Sequence, residues 1–219
     1  MKIFKLIAIA LAFAVLRADG ATVGWSATLG LGTLTDSGGT AVPLNSALIM
    51  IGTFQPTLGT GPSGADSTLQ SLFASGGVAT ILSDFTQFNT VTQLAGKPGI
   101  GPASGPGQWT YSDNNTAAVF ANQQVYMLAF NATTTGAATQ MGIFTGAYGS
   151  FSDQWSFPAD VSIGQINPEL GDTTLSGVIV GSLSETNYKM AAIVPEPSSV
   201  MLCAVAAIAM AGRRNRKRE

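Results

Sequence analysis

Basic residues in this chain gather at its two ends, and each cluster abuts an unbroken apolar run. Lys2, Lys5 and Arg17 bracket Leu6 to Leu16, while Arg213, Arg214, Arg216, Lys217 and Arg218 follow the stretch from Ser198 to Gly212. Between Ala21 and Glu196 the only bases are Lys97 and Lys189, set against ten acids. This division separates ends from middle before any secondary structure is assigned. The oily ends are directed to a membrane, and the middle must fold on its own. A stretch with two lysines cannot neutralise a run of phosphates, so nucleic acid is excluded as a partner.

The chain has no His, and its only thiol is Cys203. Zinc sites built on Cys and His, Ser-His-Asp triads and Cys-His dyads each lack a necessary residue. No intrachain disulfide is possible, so an exported middle region must rely on its apolar core. Only 10% of the 219 residues are charged, against about 25% in an average soluble domain. With 46% hydrophobic residues and 11 Phe, 3 Trp and 4 Tyr, the composition supports a packed core rather than disorder. No metal and no cofactor is expected.

The N-terminus reads as a secretory signal peptide over residues 1–20. Lys2 and Lys5 form its charged start, Leu6 to Leu16 its apolar centre, and Ala18-Asp19-Gly20 the small-residue site for signal peptidase. The expected cut lies between Gly20 and Ala21. Eleven apolar residues are too few to cross roughly 30 Å of hydrocarbon, which disfavours an uncleaved anchor.

Residues 194–219 form a second address. Val194-Pro195-Glu196-Pro197-Ser198 precedes an apolar stretch that predicts a helix over 198–212, followed by the basic cluster 213–218. The two prolines hold their segment extended, clear of fold and bilayer, where a processing enzyme can reach it. The bases stop transfer and stay on the cytoplasmic side, as Lys2 and Lys5 do, so the middle of the chain faces outward. At 1.5 Å per residue the apolar helix is about 22 Å long, short for a span but workable with snorkelling arginines and a thinned bilayer. Cys203 inside it reads as a small apolar filler.

These three parts, Pro195-Glu196-Pro197, Val200 to Ala211 and Arg213 to Arg218, in that order, resemble a PEP-CTERM sorting signal. The same tail is sometimes labelled an ice-binding protein C-terminal domain, a label that describes the address and confers no ice binding. The resemblance covers about the last 25 residues. It implies recognition by an exosortase, a membrane-embedded processing enzyme of Gram-negative bacteria, with cleavage near the motif. It also implies a mature form at the cell surface or in the extracellular polysaccharide matrix. The run ending Ile51-Gly52-Thr53-Phe54, the strand ending Phe130-Asn131 and the succession Ile143-Phe144 to Trp155-Ser156-Phe157-Pro158 are loosely similar to PEP-CTERM ectodomains, which implies no activity.

The middle, residues 21–193, is the size of one domain. Strands are predicted over 47–54, 124–131, 138–144, 154–157, 174–183 and 188–193, with further candidates at 23–31, 109–111 and 116–120. Tyr126, Leu128 and Phe130 fall on one face and Val125, Met127 and Ala129 on the other, and the polar turn Thr133 to Gly136 makes 124–131 and 138–144 a hairpin. Asp66 is expected to cap a short helix ending at Ser75, with Leu69, Leu72 and Phe73 inward and Gly76 beyond its end. A second short helix is expected over 83–92. Many short strands separated by Gly, Pro and Asn predict an all-β fold, a single β-sandwich or jelly-roll-like domain. Residues 96–107 form its long loop.

Candidate chemistry in this region is sparse. Gly96-Lys97 sits in a Gly-rich loop, but Val91 and Pro98 occupy the positions where a phosphate loop needs Gly and Ser or Thr. Asp36, Asp153 and Asp160 lack the alternating oxygen ligands of a calcium loop and read as solvated turn acids. A glycan hydrolase needs two facing carboxylates, and of the glutamates Glu185 and Glu196 lie near or in the exit segment, leaving Glu169 alone. Trp25, Trp109 and Trp155 invite a sugar-stacking reading. Trp155, two residues from Phe157, is expected in the core, whereas Trp109, beside the Gly/Pro loop, is the candidate for exposure and ligand binding. Asn114-Asn115-Thr116 and Asn131-Ala132-Thr133 match the N-glycosylation pattern. The expected role is therefore an exported, non-enzymatic surface or matrix protein. A carbohydrate-binding module is the alternative, and a carboxylate-dependent hydrolase the third reading.

Overall fold

The computed structural model describes residues 21–27, 32–54, 65–89, 93–94, 105–115, 117–146, 155–160, 165–166, 168–170 and 176–194. In chain order the strands are β1 (Ala21–Ala27), β2 (Thr33–Thr35), β3 (Leu48–Phe54), β4 (Phe85–Gln87), β5 (Gln93–Leu94), β6 (Trp109–Asn115) and β7 (Tyr126–Phe130). They continue with β8 (Gln140–Gly146), β9 (Gln165–Ile166), β10 (Glu169–Leu170), β11 (Ser176–Val180), β12 (Ser182–Ser184), β13 (Asn187–Lys189) and β14 (Ala191–Ala192). Two helices, α1 (Ala65–Ala74) and α2 (Val78–Asp84), lie between β3 and β4. The fold is mostly β.

The largest sheet is built on β3, β7 and β8, antiparallel neighbours in the order β3-β7-β8. Its outer lanes are each shared by two short strands. β4 and β5 lie along β3, and β11 and β14 along β8. Because successive residues of a strand point to opposite faces, the register sorts side chains into rows. Leu48, Phe130 and Met141 form one row, and Met50, Leu128 and Ile143 the next on the same face. Ile51, Met127 and Phe144 line the opposite face. The predicted alternation of 124–131 is the one observed.

Each face buries its own half of the core. Leu48, Leu128, Phe130 and Ile143 pack with Leu69 of α1 and Ile81 of α2, so the helices cover one face. The other face packs Ile49, Ile51, Met127 and Phe144 with Val23 of β1, Trp109 of β6 and Tyr188 of β13. Full burial of each such side chain contributes about 1.5–3 kcal/mol, which a fold without disulfides requires. On that second face β1 runs antiparallel to β6 from Ala21 opposite Asn115 to Ala27 opposite Trp109, and parallel to β9 and β10 on its other edge. A third, small sheet has the order β12-β13-β2, with β13 and β2 parallel.

α1 ends as its sequence demands. Gly76 takes φ +83, the left-handed conformation glycine adopts without a Cβ clash. Gly77 N–H then donates to the Leu72 oxygen at 2.8 Å and Gly76 N–H to that of Phe73 at 3.1 Å, the pairing of a Schellman stop. Asp66 lies inside the helix as its second residue rather than before it.

Four expectations require correction. The helix expected over 83–92 is absent: α2 stops at Asp84, and Phe85–Gln87 pairs with β3, Phe54 facing Phe85. Two phenylalanines three apart fit one helix face, but in this extended segment Phe85 packs on the helix-covered side and Phe88 in the other core half. The strand expected over 116–120 is a 3-10 turn at Ala118–Phe120, with β6 ending at Asn115. Instead of a strand over 154–157, residues 155–157 contribute a single bridge, Ser156 to Gln124, flanked by bonds from Val125 N to Trp155 O and from Phe157 N to Gln123 O. The stretch 174–183 is interrupted at Gly181, whose φ of +113 turns the chain out of the large sheet. Among the described residues no helix is long and apolar enough to cross a membrane. The signal peptide over 1–20 and the helix over 198–212 lie outside the described residues.

Candidate functional site

Of the residues singled out by sequence, Ala21 is the first of β1 and is already paired, opposite Asn115. Gly20, Pro195, Glu196, Pro197 and the cluster Arg213, Arg214, Arg216, Lys217 and Arg218 lie outside the described residues. The described chain approaches Pro195-Glu196-Pro197 through β14. β14 runs antiparallel to the start of β8, with Ala191 opposite Met141 and Ala192 opposite Gln140. One further bond, Ile193 N–H to the Thr139 oxygen at 2.8 Å, extends the ladder. Val194 follows, 48% exposed.

The strand that receives this exit is held by Asn131, at the far end of the β7–β8 turn. Its Oδ1 accepts from the N–H groups of Thr139 and Gln140, each at 2.9 Å, and its Nδ2 donates to the Thr139 hydroxyl at 2.9 Å. One amide side chain thus ties both sides of the turn together. The Gln140 side chain adds a link to the next turn, its Oε1 accepting Ser37 N–H at 2.7 Å. That turn is closed by Asp36, whose Oδ1 accepts Thr40 N–H at 2.8 Å. Sequence reading placed Asn131 at the end of a strand and in a match to the N-glycosylation pattern. In the fold its amide nitrogen donates to the Thr139 hydroxyl.

Trp109 is not where its neighbours in sequence suggest. It is 0% exposed, within the core half shared by β1, β6 and β13. The expectation of an exposed, sugar-stacking ring at this position is corrected by that burial. The cause is the preceding turn. Gly107, at φ +71, donates to the Val42 oxygen at 2.8 Å and accepts Leu34 N–H at 3.0 Å, so this end of the Gly/Pro loop is threaded into the fold. Trp155 and Phe157 are buried, as expected from their strand spacing. The Phe157 ring stacks on Phe88 at 5.0 Å between centroids.

Among the described residues the acids are dispersed. Glu185 is exposed in the β12–β13 turn at φ +56 and Glu169 lies in β10, while Asp160 is exposed beyond Phe157. Among the described residues no three His, Cys, Asp or Glu side chains gather to hold a metal ion. The acid with a perturbed environment is Asp66, half-buried in the first turn of α1. Burial pushes its carboxyl above the ordinary value of 3.8, partly offset by the Tyr126 hydroxyl donating to its Oδ1 at 3.2 Å.

No protein-family model matches this chain, and no curated protein and no solved structure matches it at a significant level.

Proposed function

We propose that this chain is an exported, non-enzymatic protein of a Gram-negative cell surface or extracellular matrix, delivered by a PEP-CTERM-like tail that an exosortase processes. The observation that carries the reading is the position of the motif relative to the ladder. Ile193 N–H is bonded to the Thr139 oxygen at 2.8 Å, and Pro195 stands two residues later in sequence. Ala21, the residue expected to follow signal-peptide removal, is likewise paired in the fold, opposite Asn115. A tethered precursor therefore carries its domain directly against the processing segment.

The domain between is read as a sandwich-like β unit, with β1, β6 and the small β2-β13-β12 sheet packed over one face of the large sheet. This reading is supported by the alternate-residue rows and the shared core of Val23, Trp109, Met127, Phe144 and Tyr188. Signal peptidase and exosortase are its processing partners, and extracellular polysaccharide is the surroundings of the mature form. With Trp109 buried, nothing favours a sugar-binding platform on it.

Replacing Pro195-Glu196-Pro197 by three alanines tests the proposal. Membrane-held precursor of undiminished tail mass is expected, with loss of the surface form. Maturation indistinguishable from wild type overturns it.

A further inference from the structure

We infer that the β7–β8 turn, residues 131–139, is the face that the tethered precursor presents to the lipid headgroups of the membrane. The inference rests on the tail being an anchor and adds which part of the domain meets the bilayer. β14 runs antiparallel to β8 and ends against its start, so the chain leaves the fold alongside this turn, with Ile193 bonded to Thr139 at 2.8 Å. Five Cα–Cα steps, through the four residues Val194 to Pro197, lead from Ile193 to Ser198, where the apolar run opens. Fully extended they reach at most about 18 Å. Whatever path they take, Ile193, bonded to the end of the turn at Thr139, stays within that distance of the apolar run.

The chemistry of the turn suits that position. Residues 131–140 read Asn-Ala-Thr-Thr-Thr-Gly-Ala-Ala-Thr-Gln, without a charge. Thr133, Thr134, Gly136, Ala137 and Thr139 are exposed. Approach to headgroups strips water from whatever faces them, which is costly for an ionised side chain and slight for a methyl or a hydroxyl that finds a phosphate oxygen. Among the described residues, the charges on adjoining elements are one acid and one base. Asp36 has its carboxylate tied to Thr40 N–H, and the Lys189 side chain lies along Gly39, its Cε 3.0 Å from where a Cβ there would stand. The Asn131 clamp fixes the turn, so orientation of the strand orients the surface.

The test uses full-length protein carrying Cys203→Ser and one new thiol, either Thr134→Cys or Ala159→Cys, each labelled with a fluorophore. Ala159 is exposed at the opposite end of β7, where the Pro158 oxygen accepts Asn122 N–H at 3.3 Å, about 20 Å away along the strand. In vesicles of phosphatidylethanolamine and phosphatidylglycerol with a headgroup-attached nitroxide, the label at Thr134→Cys is expected to lose most of its emission. The label at Ala159→Cys is expected to keep its own. Equal quenching at the two sites, or stronger quenching at Ala159→Cys, overturns the inference while leaving the anchor intact. Protein that fails to float with the vesicles overturns the anchor reading itself, and the inference with it.

Discussion

Ile51 N–H donates to the side-chain oxygen of Asn89 at 2.9 Å, a backbone donor in the middle of a sheet satisfied by an amide side chain. The substitution is needed because the lane beside β3 is split. β4 pairs with residues 52–54 and β5 with residues 48–49, and neither reaches Ile51 with a backbone acceptor. Phe88 N–H supplies the complementary bond to the Ile51 oxygen at 2.7 Å, and Asn89 itself is 3% exposed. Asn89→Ala is expected to cost about 1–3 kcal/mol, the penalty for a buried donor left without a partner. Urea denaturation measures the loss, and amide exchange at Ile51 locates it. An unchanged midpoint with full protection of Ile51 contradicts this role.

Gly146 and Trp155 set a second limit. A Cβ on Gly146 would stand 2.4 Å from the Cβ of Trp155, and the tryptophan backbone is itself bonded to Val125 at 2.9 Å, so the ring cannot simply withdraw. Gly146→Ala is expected to destabilise by about 1–3 kcal/mol through overpacking. Gly136, in the β7–β8 turn, has nothing within 4 Å of its would-be Cβ. Gly136→Ala is expected to be neutral or to stabilise by about 0.4–1 kcal/mol, by narrowing the unfolded chain. Thermal denaturation of the pair separates crowding from a general intolerance of glycine replacement.

What sequence could reveal here was local. The two faces of 126–130 and the turn after them follow from alternation and a polar loop, and the stop of α1 from Gly76. The failures share a cause, which is pairing between distant segments. Phe85 and Phe88 have helical spacing, yet β3 recruits Phe85 into a strand. β12 and β13 form an excursion between β11 and β14, and β13 joins β2 from the other end of the chain. No periodicity encodes such a partner. At the chain's exit, sequence offered Pro195-Glu196-Pro197 as an expectation, whereas Asn131 and Thr139 are brought beside the exit only when β14 returns to β8.

Asp66 gives the domain a pH dependence whose sign follows from burial. Its folded pKa lies above the ordinary 3.8, so between those two values the native state holds more of the proton than the unfolded state. Stability contributed by this group is therefore greatest below 3.8, falls as pH rises through the window, and is flat once the native carboxyl has ionised. Asp66→Asn keeps an oxygen for the Tyr126 hydroxyl and removes the titration. Denaturant midpoints taken from pH 3 to 7 are expected to show wild type losing stability relative to Asp66→Asn as pH rises, with the difference levelling above the window. A difference that grows in the opposite direction shows the carboxylate to be stabilised in the fold.

Trp109 separates a structural role from a binding one most directly. Its ring is 0% exposed, and its Nε1 has no hydrogen-bond partner among the described residues. Trp109→Ala is expected to cost about 3–5 kcal/mol by leaving a cavity between β6 and its neighbours. Trp109→Phe keeps a ring and deletes the unpaired N–H, whose burial without a partner costs about 1–3 kcal/mol. Relief of that penalty offsets part of the lost packing, so Phe is expected to be much the milder change. Iodide is expected to leave the Trp109 emission unquenched in the folded protein. If the ring served as a platform at the surface, both substitutions would leave stability within about 0.5 kcal/mol and iodide would quench it, an outcome incompatible with the packing described.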